Sequence, residues 1–89
     1  MQAVWKFPFT ITGRLTIDLP AGATVLSVQM QRGLPVLWAL TDLDIDVHQT
    51  RSFAIFGTGQ KIPEDIKHLH FISTFQDDPY VWHAFEVLS

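Results

Sequence analysis

Apolar and polar residues alternate with a period of two along most of this chain, which is the mark of strands with one covered face. Trp5, Phe7, Phe9 and Ile11 alternate with Lys6, Pro8, Thr10 and Thr12, so one face is aromatic and the other polar. Pro8 cannot donate to a ladder, which predicts an edge strand or a bulged one. Gly13-Arg14 reads as a turn, and Leu15, Ile17 and Leu19 alternate with Thr16 and Asp18 in a second strand. Pro20-Ala21-Gly22 then supplies turn chemistry. In the strand that follows, Leu26, Val28 and Met30 are expected on one face, and Ser27, Gln29 and Gln31 on the other.

Arg32-Gly33 is a tight connection, making residues 24–31 and 34–41 a hairpin. Val36-Leu37-Trp38-Ala39-Leu40 is apolar on both faces and is expected to be central, with cover on both sides. Residues 42–50 read equally as a protruding hairpin arm or an exposed loop, because Asp42, Asp44, Asp46 and His48 alternate with Leu43, Ile45 and Val47. A strand returns at residues 51–56 and is broken by Gly57-Thr58-Gly59. Residues 62–66 allow at most one helical turn, with Pro63 suited to its first position. Two last strands, at 69–75 and 80–88, flank the turn Asp77-Asp78-Pro79. In the final strand Val81, His83, Phe85 and Val87 oppose Tyr80, Trp82, Ala84, Glu86 and Leu88. About seven short antiparallel strands predict an all-β domain, a small sandwich or barrel spanning residues 1–89.

Composition sharpens this reading. A domain of 89 residues has a small core, and this one has no cysteine to cross-link it. Charged residues are 17% of the chain and aromatics 12%, so there is little polar side-chain area to cover the apolar groups. Association between copies, or with a partner, is the expected way to cover the excess. The net charge of −3, with six scattered Lys and Arg, does not supply the basic patch that duplex nucleic acid needs. The longest apolar run is too short to span a bilayer, and residues 1–8 lack the apolar run of a secretory signal. A soluble intracellular protein is expected.

Four constellations carry candidate chemistry. His68-Leu69-His70 places two imidazoles on one strand face but lacks further ligands, because His83 lies on an apolar face, so no metal is expected. Asp42-x-Asp44-x-Asp46 opens like a calcium loop but lacks its glycine and its closing Glu, and more simply blunts a sheet edge. Gly57-Thr58-Gly59-Gln60-Lys61 is a turn needing positive φ, with a phosphate-cradling nest as the functional alternative. Polar groups on apolar strands, among them Lys6, Gln29 and Arg51, are framed by Trp5, Trp38 and Trp82. They read as a solvated sheet face or as a platform for a planar ligand stacked on an aromatic ring. No nucleophile or acid–base set emerges, and no cofactor is implied.

Trp5-Lys6-Phe7-Pro8, Pro20-x-Gly22-Ala23, Pro35-x-Leu37-Trp38-Ala39-Leu40, Phe56-Gly57-Thr58-Gly59, Thr74-Phe75-Gln76 and Trp82-His83-x-Phe85-Glu86 follow one another along the chain. With these segments the sequence resembles a group of small uncharacterised proteins of bacteriophages and prophages. The resemblance implies action in the cytoplasm of an infected bacterial cell and carries no catalytic residues. By analogy with such proteins, the first expectation is an oligomeric, non-enzymatic sponge for a nucleotide-derived defence signal. Its ligand-binding residues would be Trp5, Lys6, Gln29, Trp38, Arg51, Thr58, Gly59, Lys61, Trp82 and His83. The alternative is a protein-interaction module, a virion accessory or an inhibitor of a host protein, acting through a sheet edge or the acidic residues 42–50.

Overall fold

A computed structural model describes residues 1–88. The strands are β1 (Gln2–Pro8), β2 (Arg14–Pro20), β3 (Thr24–Gln31), β4 (Leu34–Asp42), β5 (His48–Gly57), β6 (Leu69–Asp77) and β7 (Tyr80–Val87). They form two antiparallel sheets with orders β1-β4-β3 and β2-β5-β7-β6. The result is a small all-β sandwich, as the alternation predicts. No helix among the described residues is long and apolar enough to cross a membrane.

β4 is central in the three-stranded sheet, as expected from its apolar run, and β1 with Pro8 is an edge. The β3–β4 hairpin turns through Arg32 and Gly33, both at positive φ, the conformation that suits the twist of a two-residue hairpin. The inner faces meet in a core of Leu19, Val28, Leu37, Ala39, Phe53, Ile55, Phe75 and Ala84. Phe7, Phe9 and Ile11 pack against it, although the strand itself stops at Pro8. A second apolar cluster lies on the outer face of the four-stranded sheet. There Ile66, from the connection between β5 and β6, covers Ala54 and Phe56 beside Phe85 and Val87. That connection has a turn at Glu64-Asp65 and no helix.

Three details depart from the alternation. A bulge between Val25 and Ser27 shifts the β3 register, so Val25 faces inward with Val28 and Met30 while Leu26 is exposed. The outer face of β4 has no third layer over it. Instead Lys6 Nζ on β1 donates to Gln31 Oε1 on β3 at 3.0 Å, an arch across the central strand on the face that carries Val36 and Trp38. Residues 43–47 lie outside the strands, and Leu43, Ile45 and Val47 are all exposed.

The two long sides of the sandwich differ. Along one side β3 of the first sheet lies beside β6 of the second. Here Ser73 Oγ accepts from Val28 N at 2.9 Å and donates to Val28 O at 2.8 Å, replacing a ladder step between the sheets. Within the four-stranded sheet, Arg51 of β5 forks onto Glu86 of β7, with Nε and Nη2 each 2.7 Å from a carboxylate oxygen, while Nη1 reaches across to Ala23 O, just before β3. Along the other side, edge strands β1 and β2 make no comparable approach.

Candidate functional site

Gly57, Thr58, Pro79, Tyr80, Val81 and Trp82 line an open recess of about 350 Å³ at one end of the four-stranded sheet. The period-two pattern of β7 explains its floor. Tyr80 and Trp82 are two residues apart and share the inner face, and their rings stand 5.7 Å apart at 33°. Trp82 is paired with Gly57, whose bare Cα lies against the indole ring. Tyr80 is 59% exposed, so the aromatic surface faces solvent. The indole N–H of Trp82 is buried and has no hydrogen-bond partner among the described residues.

On the opposite face of β7, His83 sits between two threonines. Its Nε2 is 2.7 Å from Thr58 Oγ1, and its Nδ1 is 3.0 Å from Thr74 Oγ1. A neutral imidazole offers one donor and one acceptor, and the two hydroxyls rotate to complement either tautomer. This chain fixes Thr58, and with it the loop, on β7. Gly59 takes φ +85° in the turn, a conformation open to glycine because it has no Cβ. Gly57 N donates to Gln60 Oε1, Gln60 N to Gly57 O, and Thr58 N to Val81 O. Three amides that a phosphate nest would use are therefore engaged inside the protein, and the loop presents side chains rather than a ring of free N–H groups.

Of the ten residues expected to bind ligand, Thr58, Gly59, Trp82 and His83 come together here, with Lys61 exposed on the same loop. The others lie elsewhere. Lys6, Gln29 and Trp38 share the outer face of the three-stranded sheet, where Gln29 bonds Ser27 and Lys6 bonds Gln31. Arg51 is held by Glu86. The bond to that carboxylate raises its already high pKa, so the guanidinium serves as a fixed tie between the sheets. Tyr80 and Thr74 were not among the ten; Tyr80 was legible as the partner of Trp82 in the same alternation.

Trp5 belongs to a different recess, of about 240 Å³, on the side where the sheets are not joined. Phe7, Pro20 and Thr41 line it with Trp5, and Asp42, Leu43, Ile45, Asp46 and His48 complete it. Among the described residues no three His, Cys, Asp or Glu side chains converge so as to hold a metal ion.

The family described as Domain of unknown function (DUF7352) matches residues 1–89. The chain belongs to this family. The DUF7352 match spans both sheets and both recesses, so the two sites lie within a single family unit. No curated protein and no solved structure matches the chain.

Proposed function

We propose that this domain is a non-enzymatic binding protein that takes a planar, nucleotide-class small molecule on the Tyr80–Trp82 shelf. The observation that carries the reading is an aromatic pair, Tyr80 exposed and Trp82 half-buried, flooring a recess whose wall is fixed by the Thr58–His83–Thr74 chain. Nucleobases stack on such rings, each stacked base contributing about 1–3 kcal/mol. Asp77 and Asp78 lie in the adjoining turn, so a phosphate would point toward the loop that ends in Lys61. In this reading the protein is of phage type, acts in the cytoplasm of an infected bacterial cell, associates with further copies of itself, and sequesters a defence signal without cleaving it.

The test is thermal unfolding with a panel of cyclic dinucleotides, cyclic trinucleotides and ADP-ribose derivatives. A ligand at one hundred times its Kd stabilises the folded state by about 2.7 kcal/mol, a readily measured rise in Tm. Tyr80→Ala should abolish the rise while Trp5→Ala keeps it, and the ligand should be recovered unchanged. No shift with any member at millimolar concentration would remove the nucleotide reading; turnover of a member would make the protein an enzyme.

A further inference from the structure

We infer that the Trp5 recess is a docking groove for an arginine side chain carried on an extended segment of a partner protein. This goes beyond the shelf reading and rests on separate residues. The groove has an aromatic floor, because Trp5 is 53% exposed on the inner face of edge strand β1, with Phe7 further along the same face. Its rim is acidic: Asp42 and Asp46 both line it, and no Lys or Arg does. The Met1 ammonium donates to Asp44 at 3.0 Å and lies 3.7 Å from Asp42 Oδ1, so among the described residues Asp46 is the rim carboxylate without an ion pair. The Asp42 carboxylate is oriented by the amide of Asp44, 3.0 Å from Oδ1. A cation over an indole face and beside carboxylates is the complement of this arrangement.

Arginine fits it better than lysine. The guanidinium is planar, stacks on aromatic rings, forks onto carboxylates and is more weakly hydrated than an ammonium. The surroundings indicate that the arginine arrives on a polypeptide. Leu43, Ile45 and Val47 are exposed along residues 43–47 beside the groove, apolar area that a free small cation would leave uncovered. β1 also presents an unpaired edge, along which an extended segment can add backbone bonds.

The probe is a capped Gly-Arg-Gly peptide, compared with its lysine and citrulline counterparts. The readout is the indole N–H resonances of the three tryptophans, with the Trp5 signal assigned by its loss in Trp5→Phe. The arginine peptide should move the Trp5 signal and leave that of Trp82 in place. The lysine peptide should bind several-fold more weakly, citrulline should not bind, and salt should weaken the arginine complex. Asp42→Asn with Asp46→Asn should weaken it at least tenfold, and Tyr80→Ala should not change it. An unmoved Trp5 resonance or equal binding of the citrulline peptide would each overturn the proposal.

Discussion

The two sides of this sandwich solve the same problem in opposite ways. Where β3 meets β6, the edges are tied by Ser73 to the backbone of Val28; a second tie runs from Arg51 of β5, itself forked onto Glu86 of β7 in the same sheet, to Ala23 O just before β3. Where β1 faces β2, the gap is left open, with Trp5 half exposed and Asp42 and Asp46 along its rim. Polar ties that replace missing ladder bonds let one side be closed without further apolar area. The open side leaves an aromatic residue accessible, as the proposed groove requires. The polar ties Ser73–Val28 and Arg51–Glu86–Ala23 serve architecture, whereas the half-exposed Trp5 is left free of such a role.

Breaking the polar ties between the sheets should have the largest effect. Arg51→Ala strands a Glu86 carboxylate that is only 13% exposed, and should cost about 3 kcal/mol in denaturant unfolding. Replacing Arg51 and Glu86 together by Met should cost far less than the two single changes added, because no charge is then left unpaired. Ser73→Ala leaves both polar groups of Val28 without their side-chain partner and should cost about 2 kcal/mol. On the open side Trp5→Ala should cost about 1 kcal/mol, since roughly half of the ring is already in water. A Trp5 cost equal to that of Ser73 would erase the distinction between the sides.

Asp65 provides the smallest effect and lies on neither side. Its carboxyl is held below the ordinary value, mainly by the hydrogen bond from Arg14, 2.8 Å away. A depressed folded-state pKa stabilises the fold above the unfolded value near 3.8, and that contribution is lost as pH falls through the lower folded value. The stability difference between wild type and Asp65→Asn should therefore be constant from neutral pH down to about pH 5 and close in stronger acid. Unfolding midpoints taken across that range check the sign.

Much of the architecture was legible because it depends on local alternation. The strand count, the central position of β4, the edge position of β1 and the two faces of β7 all follow from period two and from where Pro and Gly stand. Leu26 was misplaced because a bulge is a property of how β3 pairs with β4, and its own residues alternate normally. Ser73 gave no signal, since its role depends on which strand lies opposite. Arg51 read as a free cation because Glu86 is 35 positions away. The ten expected ligand residues were chosen by type and are scattered over two recesses, an outer sheet face and the Arg51 tie. Alternation assigns a residue to a face of its own strand, but the meeting of strands decides which faces share a recess.

Native-state amide hydrogen exchange tests the contrast between the sides most directly. The Val28 amide, held by Ser73 on the closed side, should exchange only through global unfolding. The Ile45 amide, bonded to Asp42 O beside the open groove, should exchange orders of magnitude faster through local opening. Val28 exchanging as fast as Ile45 would show that the closed side is not closed, and would contradict the account.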